Sequence, residues 1–171
     1  MEDSLGVKGE DTNEATNPAT PQLRAVDGVN PMDRCFDEGL SAGVTAVLTG
    51  PGSANAIGGT MCVVKTRGRC VDDMLLKENA AMKFALGENP KTVYNGRKQT
   101  PMTRMGTAAV IREQLLRAQR YARRLEESRG RRDAEPPAFD FRCEALPPVL
   151  ERRVQAHFHA HRPGDIFPAL R

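Results

Sequence analysis

Val154-Gln-Ala-His-Phe-His-Ala-His-Arg162 holds all three histidines of the chain, at positions 157, 159 and 161. On a β-strand alternate side chains share a face, so the imidazoles would project one way and Ala156, Phe158 and Ala160 the other. One apolar face and one imidazole face is what a metal site inside a barrel or sheet needs, since imidazole is the commonest protein ligand for zinc. A His-rich terminal tract is the plainer alternative. Against it stands Arg162-Pro163-Gly164-Asp165, a turn whose aspartate is placed to cap a helix beginning at Ile166. Strand, ligands, short loop and capped helix make a βα unit with its chemistry at the strand's C-terminal end.

The rest of the chain must supply a core for that strand. Its 171 residues are 39% hydrophobic and 27% charged, which suits a globular domain and argues against a disordered chain. With 5% aromatics and no Trp the core must be aliphatic, and a formal charge of +3 is too weak to imply nucleic acid. Four cysteines without C-x-x-C spacing (Cys35, Cys62, Cys70, Cys143) fit reduced thiols in a cytoplasmic protein better than a disulfide framework or zinc ribbon. No apolar run reaches membrane-spanning length, and the acidic, polar start is unlike a signal peptide.

Residues 1–30 are polar and rich in turn residues. They read either as a disordered tail or as a long ordered loop whose supporting strand lies upstream. Asn30-Pro31 reads as a helix start, with Met32, Phe36 and Leu40 on one face and Gly43 as the stop. Val44–Thr49 reads as a buried strand. Gly50-Pro-Gly-Ser-Ala-Asn-Ala-Ile-Gly-Gly59 follows it, a glycine-rich loop at the mouth of a site whose amides could cradle an anion. It lacks the Gly-Lys-Ser/Thr ending of a nucleotide loop. Met61–Thr66 and Ala80–Leu86 are further strands, with Val71–Lys77 ambiguous between them. Lys83 sits inside the last apolar run, and the pattern alone reads it as a lysine snorkelling outward from an edge. Burial with its charge changed or paired is the second reading, and carbamylation, which turns the amine into a metal-binding carboxylate, is a third.

A polar loop runs to Thr100, and Pro101 opens the longest helix. Ala108, Ile111, Leu115, Ala118, Ala122 and Leu125 form one apolar stripe. Arg112, Arg117, Arg120, Arg123 and Arg124 cover its other face, with Arg129, Arg131 and Arg132 beyond, and read as a solvated surface. Arg142–Arg153 is a shorter helix, kinked or started by Pro147-Pro148. Strands alternating with helices predict a parallel α/β sheet of the barrel kind.

In this order the motifs resemble the metal-dependent amidohydrolase superfamily, in its imidazolonepropionase-related branch. The stretches that carry the resemblance are Asn17-Pro-x-Thr-Pro-Gln-Leu-Arg-Ala-Val-Asp-Gly-Val-Asn-Pro31, Ala42-Gly-Val-Thr45, Pro51-Gly-Ser-Ala-Asn55 with Ile57-Gly-Gly59, Gly87-Glu-Asn-Pro-Lys91, and His159-Ala-His-Arg162 with Asp165-Ile166. The resemblance implies a partial (β/α)8 barrel of the TIM type, about strands two to five with their helices. Residues 1–30 would be the loop after a missing first strand and 31–171 the partial barrel. It implies one or two divalent ions, zinc foremost. Strand four would supply Lys83 if carbamylated, with Lys65 the fallback, and strand five His159. His161, Asn55 and Arg162 become candidates for substrate contact, and His157 is left to packing.

A first-strand His-x-His, a sixth-strand histidine and an eighth-strand aspartate have no counterpart in these residues. The resemblance therefore implies an internal piece of a longer enzyme, inactive and poorly folded by itself. The expected activity is hydrolysis of amide or cyclic-amide C–N bonds in a small molecule. Nucleic acid and membrane are not expected as partners, and self-association of a full-length form stays open. A non-catalytic protein that chelates metal and binds acidic partners is the competing reading.

Overall fold

The computed structural model of the protein describes residues 2–7, 9–129 and 134–171. Its framework is a mixed α/β fold around a curled half-barrel sheet, in the strand order β1-β2-β3-β4-β5. The strands are β1 (Glu2–Asp3), β2 (Ala46–Thr49), β3 (Ile57–Lys65), β4 (Leu75–Ala85) and β5 (Gln155–His159). The helices are α1 (Arg34–Ser41), α2 (Val71–Met74), α3 (Glu88–Gly96), α4 (Arg104–Arg129), α5 (Phe141–Ala145), α6 (Pro147–Leu150) and α7 (Pro163–Leu170).

The sheet is not uniformly parallel. β1 runs parallel to β2 and β4 to β5, but β3 is antiparallel to both its neighbours. Connection length explains this. A parallel crossover needs about a dozen or more residues, while only residues 50–56 join β2 to β3 and residues 66–74 join β3 to β4. Residues 86–154, with α3 to α6, are long enough to return β5 parallel to β4. Counting β3 as a barrel strand in the parallel series is therefore corrected: the strands that share a direction are β1, β2, β4 and β5.

Outside the sheet, alternate residues of β4 and β5 pack against α4. Met82, Phe84, Leu86, Ile111, Ala118 and Leu146 are buried together, with Phe158 against them. Phe84 and Phe158 stack at 4.7 Å between ring centroids. The expected apolar stripe of the long helix is thus the one that faces the sheet. The arginines from Arg112 to Arg129 stand exposed; Arg131 and Arg132 lie outside the described residues. A second cluster gathers Val29, Phe36, Cys62, Val64 and Met74 under α1. Burial pushes the Cys62 and Cys143 thiols up to about 11 each, so both stay protonated near neutrality.

Several boundaries move for local reasons. The first helix begins at Arg34, not Pro31, because the Asp33 carboxylate accepts the Cys35 amide and caps it there. Met32 is therefore exposed and outside the stripe. Residues 88–96, expected within a polar loop, form α3, anchored by a fully buried Tyr94. Helix α7 starts at Pro163, so Asp165 lies in its first turn and is not its cap. Within residues 9–30, bridges Ala19–Ile57 and Arg24–Thr60 and the buried Thr20 tie the segment to the sheet. Among the described residues no helix is long and apolar enough to cross a membrane.

Candidate functional site

The β4–β5 pair builds the site. Lys83 is opposite His157 and Ala85 opposite His159, so all four occupy the sheet face turned away from Phe84 and Phe158. Adjacent strands are about 5 Å apart, which puts the lysine and the two imidazoles side by side. Both histidines feel the charge of Lys83: burial first, and that charge second, hold each imidazole below its ordinary pKa. His157 thus lies half-buried on the site face beside Lys83.

Lys83 does not snorkel. It is fully buried, and a Cβ added at Gly58 of β3 would come 3.4 Å from its Cγ and 3.1 Å from Pro51. Glycine at 58 leaves room for the lysine stem over the sheet. Burial lowers the amine to about 8. Lys65 is exposed and pairs with Ala46 at the opposite end of β2, so of the two lysines Lys83 is the one beside the histidines.

His159 ends β5, and its Nε2 lies 3.3 Å from Asn89 Nδ2 in the first turn of α3. His161 is past the strand, its ring edge-on to His159 at 4.6 Å between centroids. Arg162 is exposed at the start of α7, 3.8 Å from Glu88. A cleft of about 620 Å³ runs along the 11–28 segment and shares Pro51 and Gly58 with the wall over Lys83.

Two expectations for the glycine loop change. Asn55 is buried, and its amide is committed to protein: Nδ2 donates to Glu14 O at 2.8 Å and Thr20 Oγ1 at 2.9 Å, while Oδ1 accepts from Tyr94 at 2.7 Å. It is a strut under the site and not a group presented to substrate. The loop amides are likewise engaged, Gly52 N with Thr12 O and Ala54 N with Asn13 Oδ1, so this loop is clamped to the 12–20 segment and cradles no anion through those two groups. Asp165 has an unexpected place. It is buried, and Arg104 of α4 donates to its Oδ1 from Nε and Nη2 at 2.5 Å.

Among the described residues, no group of three or more His, Cys, Asp or Glu side chains gathers to hold a metal. What the chain brings together is a buried amine and two half-buried imidazoles, each held below its ordinary pKa. A metal ligand must first be free of its proton, so lowered proton affinity favours these groups over ordinary ones for such a role. In the sequence, Asn89 had no expected contact with a histidine and Asp165 only a capping role. The signal that could have found Asn89 is its motif, Gly87-Glu-Asn-Pro-Lys91, directly after the lysine strand.

No family model matches the chain. It is 34% identical over 181 aligned residues to the amidohydrolase tasK of Hapsidospora irregularis, across 94% of this chain and 18% of that protein. The fold matches the crystal structure of an amidohydrolase from Thermotoga maritima MSB8 with a TM-score of 0.93 and 41% identity, over 99% of this chain and 46% of that one. The chain thus spans under a fifth of the first protein and under half of the second. Both likenesses support the amidohydrolase family for this chain.

Proposed function

We propose that this chain is the part of a metal-dependent amidohydrolase that carries the Lys83 and His159 side of the active site, within a TIM-type barrel of the imidazolonepropionase-related branch. The reaction is hydrolysis of an amide or cyclic-amide C–N bond, other than a peptide bond, in a small cytoplasmic substrate. The observation that carries this reading is the placement of Lys83, His157 and His159 on one face at the ends of two adjacent parallel strands. The two amidohydrolase likenesses support the reaction class.

A divalent ion held there, zinc foremost, would polarise the scissile carbonyl and make water acidic enough to attack it. The chain's own residues prepare that site. Burial, with the charge of Lys83, holds the His159 imidazole below its ordinary pKa, which favours the unprotonated ring that has a lone pair to give. An amine near 8 spends a useful fraction of its time unprotonated, and only that form adds to carbon dioxide. The nitrogen bonds the carbon, a proton leaves, and the carbamate so formed is an anionic oxygen ligand. We assign substrate contact to His161 and Arg162, which follow directly on the strand: His161 packs edge-on to His159 and Arg162 lies 3.8 Å from Glu88.

The test uses the full-length product of the gene. His159→Ala should lower bound metal and abolish hydrolysis of N-acyl and cyclic-amide substrates while the protein stays folded. A His159→Ala protein with unchanged metal content and turnover would overturn the assignment.

A further inference from the structure

We propose that Asn89 is the positioning residue for His159, selecting the ring nitrogen that faces the site. The inference rests on the reading of His159 as a metal ligand. The Asn89 amide sits 3.3 Å from Nε2, and the backbone that delivers it is fixed at two points. Leu86 N donates to His159 O at 2.9 Å, tying the end of β4 to the end of β5. Gly87 then turns with φ +79°, where a Cβ would fall 2.5 Å from Asp165 Oδ2, and Asp165 is held in turn by Arg104. Helix α3 starts at the next residue, so Asn89 enters its first turn with little freedom.

A hydrogen bond at one imidazole nitrogen decides which tautomer the ring adopts, and so which nitrogen can bind a metal. With Nε2 against the amide, Nδ1 is the coordinating atom. A carboxamide suits both states of such a ring. It donates from Nδ2 to the Nε2 lone pair while the ring carries its proton on Nδ1. After half a turn it accepts from Nε2–H through Oδ1 when Nδ1 serves an ion. A leucine offers neither bond, and an aspartate only the second.

The experiment compares full-length wild type, Asn89→Asp and Asn89→Leu, with 15N-labelled histidine. In metal-free protein above the imidazole pKa, the wild-type ring should be mainly the Nδ1–H tautomer. Asn89→Asp should turn it to Nε2–H, and Asn89→Leu should leave a mixture. Zinc affinity should fall about 10- to 100-fold in Asn89→Leu and by clearly less in Asn89→Asp, where a carboxylate still accepts from the ring. Identical ring spectra in all three proteins would overturn the proposal. So would equal zinc losses in both variants, which would mark Asn89 as a loop brace only. If wild type binds no zinc, the metal reading falls, and the tautomer pattern still decides on Asn89.

Discussion

The two faces of the β4–β5 pair differ by one residue of register and by almost everything else. On one face Met82, Phe84 and Phe158 are packed under α4. On the other, Lys83 is fully buried and His157 and His159 are half-buried beside it. The first face lowers the free energy of the fold, and the second raises it. Alternation lets the same two strands do both without compromise at any single position. It also means that a slip of one residue would exchange the faces entirely.

That contrast can be broken first from the apolar side. Phe84→Ala removes a buried ring that stacks on Phe158, and should cost about 3 to 5 kcal/mol, read from the denaturant midpoint. Turnover of the fraction that remains folded should be nearly unchanged. A large loss of turnover in folded protein would show that the two faces are coupled.

The opposite sign is expected on the site face. The unfolded lysine keeps its proton up to the ordinary 10.5, whereas folded Lys83 releases it near 8. Between those values the unfolded chain binds more protons, so wild-type stability rises with pH across that window. Below about pH 8 the whole cost of burial is present. Lys83→Met in carbonate-free buffer should therefore stabilise the protein by about 2 to 3 kcal/mol at pH 7. The gain should shrink from pH 8 towards 10.5, while activity is lost. A variant less stable than wild type at pH 7 would mean that Lys83 holds the fold together.

The smallest effect is expected far from both faces. Arg120→Ala on exposed α4 should change stability by less than about 0.5 kcal/mol and leave turnover alone. A clear loss of association with an acidic partner would instead favour the competing reading, in which the basic helix is a binding surface.

Much of this contrast was legible in the sequence, because alternation and the 3.6-residue stripe are local signals. The strand of His157 and His159 and the packing side of α4 at Ile111 and Ala118 follow from spacing alone. Lys83 did not, since burial of an amine depends on a neighbour's missing side chain at Gly58, which no local pattern announces. The direction of β3 was legible but unread: its two connections are too short for crossovers. Helix α3 was hidden by Pro90 and a polar composition, and is held by the long-range bond from Tyr94 to Asn55. Asp165 looked like a cap because its partner, Arg104, lies on another helix.

The reversed strand has a consequence for time as well as space. β3 and β4 are joined by residues 66–74, so their pairing closes a short loop at little entropic cost, whereas β5 must wait for residues 86–154 to be placed. The hairpin is thus the natural nucleus, and β5 the late arrival. On the return journey β5 peels away first, so the amide of Phe158 should exchange with solvent sooner than that of Val63.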